Sequence, residues 1–173
     1  MLAQQKVNDK SNEITAIPVL LDLLVLKGGC ILTIDAMGCR KGIAEKIADK
    51  QADYILAVKG NQKFLPDDIE EGISNAKADD EYRLKEVDHG RIETRTAKVI
   101  TDLDGICSKQ DWKKLACIIR VFSTGINEQT GVKEEAYQYY ISSKKGTSKY
   151  FNHAVRAHWG IENKLHSMFG CDI

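Results

Sequence analysis

Apolar residues follow two kinds of pattern along the chain. Near the start, Leu20, Leu21, Leu23, Leu24 and Leu26 crowd a segment that Lys27-Gly28-Gly29 closes. It reads as an apolar helix capped by Ser11 or Asn12, with Pro18 tolerable only in the first turn. Residues 30–34 and 54–58 are short, unbroken apolar runs between turn signals, the pattern of buried strands in parallel sheets. Between them Ile43, Ala44, Ile47 and Ala48 recur at helical spacing, so 30–58 reads as a strand–helix–strand unit. Residues 61–76 read as an acidic helix with Pro66 near its beginning. From residue 82 to 100 the pattern changes. His89, Arg91, Glu93 and Arg95 alternate with Gly90, Ile92 and Thr94, a period of two that predicts an antiparallel strand. Residues 115–124 and 134–143 are two further strands, joined as a hairpin by the Asn-, Gly- and Thr-rich stretch 125–133. A helix over 148–166, with Ser148 as its cap, closes the chain, and residues 1–7 read as the end of a strand. The order predicts a mixed α/β fold with a β-rich segment placed before the last helix.

Composition narrows the class. With 173 residues, 43% hydrophobic and 29% charged, the chain matches an ordinary globular domain and excludes collagen-like, disordered and disulfide-miniprotein classes. No uncharged apolar run reaches the roughly 18 residues of a membrane span, and no signal peptide is read. Five scattered cysteines without a C-x-x-C pair fit a reducing cytoplasm and small buried side chains. Net charge is zero but uneven. Residues 1–60 carry 8 basic and 7 acidic side chains, 61–111 carry 8 and 13, and 112–173 carry 9 and 5. Bulk charge therefore does not point to nucleic acid, although the positive final third is compatible with a phosphate-facing patch.

Three groups can carry chemistry. Asp35 follows the strand at 30–34, where α/β folds place ligand-binding groups; it can equally cap the helix that begins near Cys39. In the last helix His158, Glu162 and His166 follow at i, i+4 and i+8 and line one face, with Arg156 nearby. That stripe suits metal, phosphate or acid–base chemistry, or simply a solvated face. His89, Arg91, Glu93 and Arg95 share one face of a strand. Two guanidiniums at this spacing suit neighbouring phosphates, and the same alternation also describes an exposed strand face. Lys59 and Asn61, past the second strand, lie on the same rim as Asp35.

Five blocks resemble the H-repeat-associated insertion-sequence transposases of bacteria. They are Lys10-Ser11-Asn12-Glu13-Ile14-Thr15-Ala16-Ile17-Pro18, Thr33-Ile34-Asp35-Ala36-Met37-Gly38-Cys39, Ala52-Asp53-Tyr54 with Leu56-Ala57-Val58-Lys59-Gly60-Asn61-Gln62, His89-Gly90-Arg91 with Glu93 and Arg95, and Arg156 with His158-Trp159-Gly160-Ile161-Glu162-Asn163 and Leu165-His166. The resemblance implies a ribonuclease-H-like core of the DDE superfamily, with three acidic residues holding two Mg²⁺ or Mn²⁺ ions for DNA cleavage and strand transfer. Asp35 matches the second acid and Glu162 the third. Lys59, Asn61, His89, Arg91, Arg95, Arg156 and His158 become DNA-contacting groups, and the DNA is the element ends and the target. Residues 1–76 become part of the α/β core, 77–146 an inserted β-rich segment and 147–173 the catalytic helix of one partial domain. Two carboxylates of a two-metal site are the right hard-oxygen donors for such ions.

The family's first acidic residue has no match here, because the sequence starts at about the end of the third strand of such a core. Asp9 and Asp22 do not fit its motif. After His166 the family's usual continuation is replaced. The expectation is a truncated, inactive chain of marginal stability. Its alternative role is non-catalytic: binding DNA, pairing with a full-length transposase or associating with itself.

Overall fold

The computed structural model describes residues 13–59, 65–74, 76–88 and 91–169, with side chains in the last helix as far as His158. Helix α1 spans Glu13–Leu23, strand β1 Ile31–Ile34, α2 Lys41–Asp49 and β2 Asp53–Val58. Helix α3 spans Leu65–Gly72. Strands β3 Asp80–Asp88, β4 Arg91–Ile100, β5 Cys117–Asn127 and β6 Lys133–Ser142 precede the long α4, Ser148–Phe169. Among the described residues six strands form one sheet in the order β1-β2-β6-β5-β4-β3. β1 and β2 are parallel, as a strand–helix–strand unit requires, and every other pair is antiparallel. The β-rich segment continues the α/β sheet, because β6 pairs directly with β2 from Val58↔Tyr139 to Ile55↔Ser142.

Alternation along the strands sends side chains to two cores. On one face α2 and α3 cover Tyr54, Leu56, Ile100, Ile118 and Ile141. On the other, Phe151 and Val155 of α4 pack with Ile55, Ala57, Ala97, Val99, Ile119, Val121 and Tyr140. Helix α4 also reaches both edge strands. Arg156 pairs with Glu86 of β3 at 2.5 Å, and His158 meets Thr33 of β1 at 3.3 Å. Strands about 4.8 Å apart would separate those edges by about 24 Å in a flat sheet, so this sheet curls around α4.

Several expected boundaries move. Pro18 lies inside α1, beyond its first turn, and the helix ends at Leu23 rather than 26. The missing N–H at Pro18 costs a backbone bond; packing of Leu21, 2% exposed, and Ile17 against the core offsets it. Strand β1 is half-buried rather than buried, since among the described residues it pairs with β2 alone. Helix α3 is shorter than expected because Gly72 ends it against the β4–β5 connection. A Cβ on Gly72 would stand 2.5 Å from the Gly105 carbonyl oxygen, and one on Gly105 2.5 Å from that of Gly72. Asp68 reinforces this joint. Its carboxylate accepts from the backbone N–H groups of Cys107 and Ser108, both at 2.8 Å, and from the Ser108 hydroxyl. Burial pushes its pKa up, yet those hydrogen bonds outweigh it and the net shift is downward. With rigid backbone on both sides, Gly72→Ala is expected to cost about 1–3 kcal/mol, read as a lower urea midpoint at unchanged m-value.

The single strand expected around residue 90 is a hairpin. β3 and β4 pair from Asp80↔Val99 to Asp88↔Arg91, joined at residues 89–90, which lie outside the described residues. The expected placement of His89 on the face of Arg91 and Arg95 thus falls outside the described residues.

Candidate functional site

Strand β1 delivers Asp35 to the end of the parallel pair. Asp35 is the N-cap of a 3-10 turn, Ala36–Gly38, and its Oδ1 accepts from the backbone N–H of Met37 at 3.1 Å and Gly38 at 3.3 Å. The capping role expected as an alternative is real, but for this turn; α2 starts after Arg40, which makes no side-chain cap bond. A carboxylate has about four lone-pair sites, so capping through one oxygen leaves donor capacity. Glycine is required at position 38: a Cβ there would overlap Ile34 Cγ2 and Ile17 Cδ1.

Helix α4 is aimed by its first turn and its middle. Ser148 is buried and tied to the start of β3. Its N–H donates to Asp80 Oδ2 at 2.6 Å and its hydroxyl to the Asp80 carbonyl at 2.7 Å. Phe151 and Val155 then seat the helix, and the His158 Nδ1–Thr33 Oγ1 hydrogen bond closes it onto β1. A groove of about 550 Å³ lies between α1, β1 and α4, lined by Leu20, Leu24, Leu32, Asp35, Met37 and His158 among others. Glu162 and His166 belong to α4, one and two turns past His158, and their side chains lie outside the described residues.

One buried thiol, Cys39, sits beside this site, and a second, Cys117, lies across the sheet on β5. Burial pushes the Cys39 thiol up to about 12, with the Asp35 charge adding to it, and burial likewise pushes Cys117 up to about 12. Cys30 and Cys107 are exposed, against the expectation of burial for the cysteines in general. At pH 8, Cys30 and Cys107 are expected to react with a thiol reagent in minutes while Cys39 and Cys117 stay blocked until denaturant is added. Mass spectrometry of the labelled peptides checks this.

The basic residues sort by face. Lys59 lies just past β2 and is exposed, on the same rim as Asp35. Asn61 lies outside the described residues, as does His89. Arg91 and Arg95 share the α4-bearing face of β4. Arg91 Nη2 pairs with Glu134 at 2.7 Å, and Arg95 Nη2 with Glu93 at 2.5 Å. The Glu134 and Glu86 partners were not legible in the sequence, since Arg91 and Glu134 stand 43 residues apart. Nothing in the local pattern around Thr33 signals its hydrogen bond to His158, which spans 125 residues. Among the described residues no group of three or more His, Cys, Asp or Glu is arranged to hold a metal ion.

A family described as "Transposase DDE domain" matches residues 1–172, the whole sheet and α4 included. The chain belongs to the transposase DDE domain family. Among relatives, the "Putative transposase YncI" of Escherichia coli O157:H7 is 47% identical over 174 residues, covering 96% of this chain and 44% of that protein. The "H repeat-associated putative transposase YhhI" of Escherichia coli K12 is 43% identical over 173 residues, covering 96% and 46%. The "Putative protein YbfL" of the same strain is 44% identical with the same coverage. The resemblance to H-repeat-associated transposases is thereby established, and the chain spans about half the length of these relatives. Transposase DDE domains in general work with divalent metal ions.

Proposed function

We propose that this chain carries part of the catalytic centre for DNA cleavage and strand transfer in transposition of a bacterial insertion sequence, on a ribonuclease-H-like arrangement of β1, β2 and α4. Asp35 and Glu162 are the carboxylates that hold the divalent ions. The observation that carries the reading is the seating of α4 on β1. Strand β3 runs in the same sense as β1, through the alternating pairings of the sheet. Helix α4 follows β3 from Asp80 at Ser148 to Glu86 at Arg156, so α4 and β1 run the same way. They meet at His158 and Thr33. Two strand residues beyond Thr33, about 6.6 Å, is Asp35, and one helical turn beyond His158, about 6 Å, is Glu162. The two positions therefore advance together from the same contact.

Bound Mg²⁺ or Mn²⁺ ions supply activation of the attacking hydroxyl and relief of charge on the leaving oxygen. The chain's own residues prepare that site. The Met37 and Gly38 N–H groups fix one Asp35 oxygen and thereby its orientation. Leu20, Leu24 and Leu32 line one wall of the groove with apolar surface, which strengthens charge interactions at its mouth. His158 is held by Thr33 rather than turned to solvent, which suits a phosphate-positioning group. Lys59, Asn61, His89, Arg91 and Arg156 contact the DNA backbone, and Arg95, held by Glu93 and less exposed than Arg91 and Arg156, supports that face from beneath.

Two carboxylates hold two ions poorly, so the 173-residue chain by itself is inactive in strand transfer. A Mg²⁺-dependent strand-transfer assay on element-end DNA tests the proposal. The 173-residue chain gives no product, and a family-length protein carrying this sequence gives product that Asp35→Asn abolishes. Full activity of the Asp35→Asn protein refutes the assignment.

A further inference from the structure

One cross-strand row of the α4-bearing face is built from acids. The pairings Glu86↔Glu93, Glu93↔Gly125 and Gly125↔Glu134 align β3, β4, β5 and β6, so three glutamates and a glycine stand side by side. Glutamates directly opposed on an antiparallel pair repel. Each is met by a different arginine: Glu86 by Arg156 of α4 at 2.5 Å, Glu93 by Arg95 at 2.5 Å and Glu134 by Arg91 at 2.7 Å. Gly125 makes room for this. Its missing Cβ would fall 2.5 Å from Arg91 Nη2, so the guanidinium lies flat across the row. A hollow of about 280 Å³ opens there, lined by Arg91, Glu93, Gly125 and Glu134 among others. The row stands five residues of β6 beyond Tyr139, which pairs with Val58 at the end of β2. It therefore overhangs the rim that carries Asp35 and Lys59.

We infer that this row is an internal phosphate substitute. Glu86 and Glu134 hold Arg156 and Arg91 in the free protein, and a DNA phosphate must displace them to engage these arginines. The inference rests on the reading that this face meets DNA. A guanidinium forks onto a carboxylate and onto a phosphate with the same geometry, so the two compete for the same donors. Arg156 and Arg91 are the exchangeable pair, since their side chains are 43% and 54% exposed. Arg95 is 18% exposed and its Nη1 is buried without a hydrogen-bond partner among the described residues, which fits a fixed prop beneath them. Moving the two outer arginines to phosphate leaves neighbouring carboxylates uncompensated, so the row subtracts from DNA affinity and flattens its salt dependence.

The test is fluorescence anisotropy of the full chain with a 30-base-pair duplex across a salt series. Glu86→Gln combined with Glu134→Gln keeps an acceptor for each arginine and removes the competing charge. It is expected to tighten binding at low salt by about fivefold. It should also steepen the log–log salt slope by about 2, one for each arginine freed for phosphate. Adding Arg91→Ala and Arg156→Ala should erase both gains. Glu45→Gln with Asp111→Asn makes the same charge change on the opposite side of the sheet, where those acids pair with Lys113 and Lys41. It should leave the slope unchanged. A wild-type chain that binds DNA with the same slope as Glu86→Gln/Glu134→Gln overturns the inference and leaves the DNA reading standing. An equal gain from the Glu45/Asp111 control also overturns it. Absence of binding by every variant at low salt removes both.

Discussion

Phe151→Ala is expected to destabilise the fold by about 3–5 kcal/mol, the range for removing a fully buried aromatic ring. Phe151 is 0% exposed and, with Val155, is the apolar seat of α4 on the sheet. Its ring also meets Tyr150 edge-on, with centroids 5.4 Å apart, and Gly146 approaches it closely enough that a Cβ there would stand 3.2 Å away. No neighbour is placed to collapse into the space, because the facing positions are short or fixed on strands: Ala57, Ala97, Val99 and Val121. Against a typical total of about 5–15 kcal/mol, the loss leaves a chain close to its threshold. Urea unfolding followed by circular dichroism gives the number. Loosening α4 also separates His158 from Thr33, which on the proposed reading would disperse the metal site.

Asp35→Asn is expected to leave stability within about 0.5 kcal/mol of wild type while lowering strand transfer in the family-length protein by at least about a hundredfold. The stability half follows from the cap. An Asn side-chain oxygen still accepts from the Met37 and Gly38 N–H groups, and Asn is as good an N-cap as Asp. The activity half follows from ligand chemistry. Loss of groups that merely orient a ligand costs about 10–100-fold in metal affinity or activity, so loss of a ligand's charge should cost no less. Thermal melts and product yield, measured on the same preparation, separate the two effects. A large stability loss would make Asp35 chiefly a cap.

The parallel unit was legible because its strands are short apolar runs and its helix repeats at Ile43, Ala44, Ile47 and Ala48, all buried on one side. Asp35 was legible by position alone. Strand β3 was not. Its sequence Asp-Glu-Tyr-Arg-Leu-Lys-Glu-Val-Asp offers few apolar residues to the α4 face, and it is a strand because β4 pairs along its whole length. The end of α3 was hidden for a similar reason: Asp104-Gly105 signals a turn, but not that Gly105 stops against Gly72, 33 residues away. The charge reading was the least informative. An excess of acids over 61–111 and of bases over 112–173 conceals that Glu86, Glu93 and Glu134 are each matched to an arginine along a strand, across the sheet or from α4. Such matching depends on register, which composition does not carry.

If Asp35 and Glu162 grip the same divalent ion, as proposed, an Mn²⁺ titration followed by electron paramagnetic resonance will show it on the chain itself. Wild type, Asp35→Asn, Glu162→Gln and the double variant form one cycle. Each single change is predicted to weaken Mn²⁺ binding, and the double change to cost less than the two together by at least about 1 kcal/mol, as groups sharing one partner do. Losses that simply add, or an Asp35→Asn chain that binds Mn²⁺ like wild type, would contradict the account.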